Sequence, residues 1–272
     1  MAEPAAQAAT IAVQDRPCYY RHAGPPDAPP LVLLHGGLGN AALHWGRNLA
    51  DLGRDFHVLA PDLPGFGRTA PLPRPSYPAY GAWVAAFCDA AGVAAGVNVV
   101  GNSMGAAIAR VFAACYPDRV ARLVLVDGGR PVAVGPPLRQ ILAIGPLGDL
   151  LAAVLGRLAG LDAVMSRYVA NPALLTPRVR AGIRRGIRAY VRVQRRILLE
   201  PSVPPDALAV QCPTLVIWGA QDGLGPPALG EALAAQTGAG PVAVIDAAGH
   251  MPMFEQPAAF GRVLRGFLAA PA

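Results

Sequence analysis

The chain has 272 residues, 53% of them hydrophobic, and 23 basic side chains against 17 acidic ones give it a net charge of +6. That apolar content suffices for a sizeable core, and the length suits one domain with an insertion. Cys18, Cys88, Cys115 and Cys212 are scattered with no CxxC pair and no His-Cys cluster, so neither a zinc site nor a disulfide framework is indicated and no metal is expected.

Along the chain, a strand pair is expected around Thr10 to Tyr20, then strands near 31–35 and 56–60. Leu31 to Leu34 is a continuous apolar run, as a parallel strand buried on both faces requires, and it leads into His35-Gly36-Gly37. The strand at 56–60 runs into Pro61-Asp62-Leu63-Pro64-Gly65-Phe66-Gly67, where Asp62 and Gly65 shape a turn and the prolines fix its backbone. A strand at 96–100 is followed by Gly101-Asn102-Ser103-Met104-Gly105 and a small-residue helix from Ala106 to Cys115. A serine held on a sharp strand-to-helix turn needs glycine two positions either side, because side chains there would collide with strand or helix. The strand at 122–126 ends on Asp127, and strands at 214–218 and 242–245 end in Gly219-Ala220-Gln221-Asp222 and Asp246-Ala247-Ala248-Gly249-His250. Strands alternating with helices imply a mostly parallel sheet with helices on both faces.

Ser103, Asp222 and His250 thus fall at the ends of strands. A serine hydroxyl is a weak nucleophile at neutral pH, so a histidine must take its proton and a carboxylate must hold that imidazole in one tautomer and stabilise its cation. Asp222 is the expected acid and Asp127 its rival, since both end strands ahead of His250. The order serine, aspartate, histidine is that of the α/β-hydrolases.

Four anchors carry a broader resemblance: Leu31 to Gly37, Pro61 to Gly67, the serine turn, and Gly249-His250-Met251-Pro252 with Glu255-Gln256-Pro257. From about Pro29 to Leu268 the chain resembles the α/β-hydrolase family. That resemblance implies an oxyanion hole made by the backbone N–H of Gly37 or Leu38 together with that of Met104, and a scaffold role for His35. It also implies a core of residues 1–130 and 206–272 with an inserted helical cap at 131–205. His44 and Trp45 either line the pocket mouth or pack the first helix.

The 131–205 insertion reads as helical. Leu138 to Leu161 is apolar, but Arg139, Pro146, Asp149 and Arg157 interrupt it, so no stable membrane span is expected; a buried or lid helix pair is. From Arg130 to Glu200 there are 12 arginines and three acids, a net +9. Val179, Ile183, Ile187 and Val191 recur every four residues, with Arg180, Arg184, Arg188, Arg192 and Arg196 on another side: an amphipathic helix. Its basic face is either simply solvated or a binder of a substrate carboxylate, a task for which planar bidentate donors are suited. All 23 basic residues are arginine, a skew that fits coding bias better than function.

The expected reaction is hydrolysis of a small carboxylic ester, lactone or thioester through an acyl-Ser103 intermediate. The alternative is a carbon–carbon bond hydrolase of diketo acids from aromatic ring cleavage, whose serine turn the Gly-Asn-Ser-Met-Gly sequence resembles, although those relatives carry Trp where this chain has Met251. Asn102, Arg184, Arg188 and Met251 are the candidate substrate contacts. From another class, a non-catalytic ligand-binding protein on the same fold is the third reading. No cofactor is expected, and the partner is a small-molecule substrate, carboxylate-bearing if the arginines bind it. No finger or recognition helix points to nucleic acid. Met1 to Asp15 lacks a basic start followed by an apolar core, so a cytoplasmic location is expected.

Overall fold

The computed structural model describes residues 6–131, 136–159, 162–200, 203 and 208–270. Its eight strands are β1 (Gln7–Val13), β2 (Arg16–Ala23), β3 (Pro30–Leu34), β4 (His57–Pro61), β5 (Val97–Asn102), β6 (Val120–Val126), β7 (Thr214–Gly219) and β8 (Ala243–Ile245). They form one sheet in the order β1-β2-β4-β3-β5-β6-β7-β8. The β1–β2 and β2–β4 pairs are antiparallel, and every other pair is parallel. Every strand expected from the sequence is present within a few residues. Because β4 lies on one side of β3 and β5 on the other, the chain reverses its direction of travel there, and a crevice opens at the carboxyl ends of β3 and β5.

Alternation along the strands divides the core into two layers. Val32 and Leu34 of β3 pack with Trp83 and Phe87 of α3 (Tyr77–Ala90) and with Ile108 and Phe112 of α4 (Met104–Cys115). Leu31 and Leu33 point the other way, toward Trp45 of α1 (Ala41–Trp45), Leu49 of α2 (Leu49–Leu52) and, near the C-terminus, Phe260 and Leu264. Each fully buried leucine of this kind contributes about 1.5–3 kcal/mol. Capping follows sequence: the Asn40 side chain accepts from Leu43 N–H to start α1, and Ser76 accepts from Ala79 N–H to start α3.

The insertion is helical, with α5 (Pro136–Ala143), α6 (Gly145–Ala159), α7 (Asp162–Met165) and α8 (Pro177–Leu199). The sheet then resumes with β7, α9 (Ala228–Thr237), β8, α10 (Pro252–Glu255) and α11 (Pro257–Leu268). Among the described residues no helix is long and apolar enough to cross a membrane. The expected edge of the insertion at 205–206 lies outside the described residues.

Helix α8 is amphipathic, but its buried stripe differs from the four-residue repeat. Ile183, Gly186, Ile187, Ala189, Val193, Gln194 and Ile197 are buried, while Val179 and Val191 are half-exposed. A strict four-residue step advances 400° and drifts around the helix, so the stripe that faces a flat neighbour must alternate threes and fours. Ile183 and Ile187 join one core layer and Ala189, Val193 and Ile197 the other, so the insertion shares the core of the main body.

Candidate active site

Ser103 sits between β5 and α4 with φ 55° and ψ −115°, a backbone conformation that costs on the order of 1–3 kcal/mol for a residue with a side chain. Three glycines make room for it. A Cβ at Gly101 would lie 2.2 Å from the Gly105 carbonyl oxygen, one at Gly105 2.3 Å from that of Leu34, and one at Gly128 2.6 Å from Ser103 Cα. The first two are those of the sequence motif. Gly128 escaped the sequence reading, and its only signal was the Gly128-Gly129 pair at a strand end. The Ser103 side chain makes no capping bond to α4, so its hydroxyl is not diverted into holding the helix.

His250 follows β8 and is buried. Its Nδ1 lies 2.9 Å from Asp222 Oδ2, and Asp222 Oδ1 accepts from Leu224 N–H at 2.8 Å. Nδ1–H therefore donates to the carboxylate, and Nε2 is left as an acceptor, buried and without a partner among the described residues. Asp222, and not its rival Asp127, is the carboxylate bonded to His250. Asp127 nonetheless stands beside the pair: one side-chain oxygen or nitrogen from each of Asp127, Asp222 and His250 lies within 4.8 Å of the others. Its Oδ1 accepts from Gly219 N–H at 2.8 Å, and its Oδ2 is buried without a geometric hydrogen-bond partner among the described residues. Burial above all, reinforced by the nearby Asp222 charge and only partly opposed by the Gly219 bond, pushes the Asp127 carboxyl well above the ordinary carboxylate range.

Asn102 departs from expectation. Its side chain is fully buried and presents no surface to a ligand in this structure. Its amide nitrogen donates to the carbonyls of Val126 at 3.2 Å and His250 at 3.1 Å, which fixes its oxygen as the acceptor from His44 Nδ1 at 3.1 Å. Asn102 thus ties the His250 loop to the strand that carries Ser103. Met251 likewise has no exposed surface and packs into a core layer. His44 and Trp45 are both fully buried, which decides for packing over the pocket mouth. Burial, with His35 and His250 nearby, holds His44 well below its ordinary value.

The turn after β3 is built on His35. Its Nε2 accepts from Leu63 N–H at 2.9 Å, so Nδ1 carries the proton and donates to the Gly36 carbonyl at 2.8 Å. Burial lowers its pKa and keeps it neutral, consistent with a scaffold role. Asp62 completes the support, accepting from Ala41 N–H at 3.0 Å and Arg68 N–H at 3.1 Å. Leu38 and Met104 are buried at this crevice. Helix α8 lies directly on the turn: a Cβ on Gly37 would come within 2.4 Å of the Tyr190 ring, and one on Gly186 within 2.2 Å of Gly39 N.

Two further supports were not read from the sequence. Glu255, known only as part of an anchor, accepts from Gly249 N–H at 2.8 Å through Oε1 and from Ala170 N–H at 2.6 Å through Oε2. The segment after α7 touches both loops that carry the acid and the base, because His250 N–H donates to Tyr168 O at 3.0 Å and Arg167 donates to Gly223 O at 2.9 Å. Sequence spacing gives no sign of contacts this distant along the chain.

Arg184 and Arg188 are both exposed. Arg184 pairs with Asp162 at 3.0 Å, and Arg188 Nε donates to the Arg184 carbonyl at 3.3 Å. Arg188 lines a cleft of about 950 Å³ between α6, α8 and the turns at Gly39-Asn40 and Gly65-Gly67. Neither Ser103 nor His250 lines it.

A family profile described as the alpha/beta hydrolase fold matches residues 29–176. The chain belongs to that family. This hydrolase is 31% identical over 262 residues to a 2-hydroxy-6-oxo-2,4-heptadienoate hydrolase of Pseudomonas putida, covering 89% of each chain. Among solved structures it is similar to a thermophilic esterase from Thermogutta terrifontis, with 25% identity, TM-score 0.75 and coverage of 97% of this chain and 98% of the esterase. It is also similar to a 2-hydroxy-6-oxo-6-phenylhexa-2,4-dienoate hydrolase from a Rhodococcus species, at 23% identity and TM-score 0.77 over 98% and 100% of the two chains. That last likeness bears on the fold alone.

Proposed function

We propose that this hydrolase cleaves a small carboxylic ester, lactone or thioester through a covalent acyl-Ser103 intermediate. The reading rests on one observation: His250 Nδ1 is held by Asp222 at 2.9 Å while Nε2 stays buried and unpaired, as a base for an alcohol proton must be. Ser103 Oγ attacks the substrate carbonyl and His250 Nε2 takes its proton. The tetrahedral oxyanion is met by Met104 N–H at the start of α4 and by Gly37 or Leu38 N–H, where one such donor is worth about 2.7–4 kcal/mol. His250 then returns the proton to the leaving alkoxide, and water, deprotonated by the same imidazole, releases the acid.

The helices of 131–205 act as the cap over this crevice, excluding water and selecting substrate. Arg188 is the arginine to which a substrate carboxylate is assigned, since Arg184 is engaged by Asp162. The named function of the Pseudomonas putida relative supports a second reading, hydrolysis of the carbon–carbon bond of a vinylogous diketo acid by the same three residues.

A panel of chromogenic esters of graded acyl length, run beside a diketo-acid substrate, separates the two. Ester turnover that Ser103→Ala lowers roughly a million-fold in kcat supports the first reading. Turnover of the diketo acid alone selects the second. A protein that binds its ligand equally well with Ser103→Ala and never labels with a covalent serine probe is neither.

A further inference from the structure

Helix α6 is turned inside out. A surface helix normally buries its apolar stripe, yet α6 approaches its neighbours with glycines, Gly148 against the Leu142 carbonyl and Gly156 against Val191. Its large side chains face water instead: Leu147 is 45% exposed, Leu150 62%, Val154 43%, Leu155 47% and Leu158 51%. These five, with Ile141 and Ile144 just before them, make seven of the ten exposed large hydrophobics among the described residues. Scattered singly they would need no explanation, but gathered on one helix and its approach they form a patch that has no partner among the described residues.

The patch borders the arginine-lined cleft. Residues three and four apart are neighbours on a helix, so Ala153 and Arg157, which line that cleft, sit beside Leu150 and Val154 on α6. Across the cleft, α8 presents Arg185, Arg192 and Arg196, all exposed. Of the cleft's arginines, Arg195 is neutralised by Asp149 at 2.9 Å.

We infer that this face of the insertion docks on an anionic lipid surface. The leucine stripe enters the boundary between headgroups and acyl chains, and the arginines meet lipid phosphates, the division of labour of an interfacial amphipathic helix. Charge argues against a second copy of the chain as the occupant, because residues 130–200 carry 12 arginines and three acids, and two such faces would repel. Docking depends on no catalytic group, so it stands or falls separately from the proposed reaction.

The test is co-sedimentation of the full chain with vesicles of phosphatidylcholine alone and of phosphatidylcholine mixed with phosphatidylglycerol. Binding is expected to the anionic vesicles only and to weaken as salt is raised. Arg185→Ser and Arg192→Ser each weaken it about fivefold. Leu150→Asp with Leu158→Asp abolishes it while Ser103→Ala leaves it unchanged. An environment-sensitive dye on Leu150→Cys, in a Cys115→Ser, Cys212→Ser background, should shift to the blue with anionic vesicles and stay put with neutral ones. Absence of binding overturns the inference, as does binding that the leucine variants do not alter. Self-association abolished by the leucine variants, with no vesicle binding, assigns the patch to a second copy and overturns it too.

Discussion

Glu255 Oε1 accepts the N–H of Gly249 at 2.8 Å, one residue before His250. The other oxygen of the same carboxylate takes Ala170 N–H, so one side chain joins the histidine loop to the segment after α7. Glutamine at 255 turns an NH2 group toward a backbone donor and leaves a buried N–H unpaired, at about 1–3 kcal/mol. Glu255→Gln is expected to lower the thermal midpoint by about 2–4 °C for each kcal/mol lost, and to lower kcat more than it raises KM. Calorimetry and steady-state kinetics on the same variant check both.

Asp222 and Asp127 part company on substitution. Asp222→Asn removes the acceptor that selects the His250 tautomer, and kcat is expected to fall about 10⁴-fold, as for other triads treated this way. Asp127→Asn keeps an oxygen for Gly219 N–H and leaves kcat within about tenfold, a smaller loss than a lost triad partner gives. If Asp127→Asn proves the more damaging, the acid has been misassigned.

The pH dependence of stability carries the sign of Asp127. Its folded-state pKa lies well above the value in the unfolded chain, so above that unfolded value the folded protein holds a proton that the unfolded one has released. Stability from this group is therefore greatest below about pH 4 and is lost as pH rises toward the folded pKa. Asp127→Asn removes that loss, so the variant should gain in thermal midpoint over the parent at neutral pH, and the gain should vanish near pH 4. Unfolding followed from pH 4 to 8 decides it; a gain confined to the acid end contradicts the assignment.

Gly128→Ala tests the elbow from outside its motif. The added methyl would meet Ser103 Cα at 2.6 Å, and Ser103 is itself held in a strained backbone conformation. A loss of about 1–3 kcal/mol is expected from the overpacking, with a fall in kcat that Gly266→Ala, where nothing lies within 4 Å, does not share.

The sheet was legible because buried parallel strands read as unbroken apolar runs, and the Ser103 turn because its glycines fall at fixed offsets within five residues. The proposed acid and base, Asp222 and His250, were legible as strand-end residues. The supports were not: Asn102 to His250 spans 148 positions, and nothing local marks a buried amide that bonds a distant carbonyl. The burial of Asn102 and Met251 was not legible either, since sequence adjacency to Ser103 and His250 does not say which way a side chain points. On α6 the apolar pattern was visible, but its direction was not. Periodicity locates a stripe without saying whether the chain or the solvent receives it.

Helix α8 rests on the turn between β3 and α1 with no side chain between Gly186 and the backbone of Gly39, and with the Tyr190 ring seated on Gly37. Two glycines on the turn and one on the helix make that closeness possible. A domain graft that replaced residues 131–205 with the corresponding piece of a cousin would therefore have to reproduce a bare position and a flat ring at these points. Otherwise the borrowed roof would tilt the floor on which acyl transfer is proposed to run.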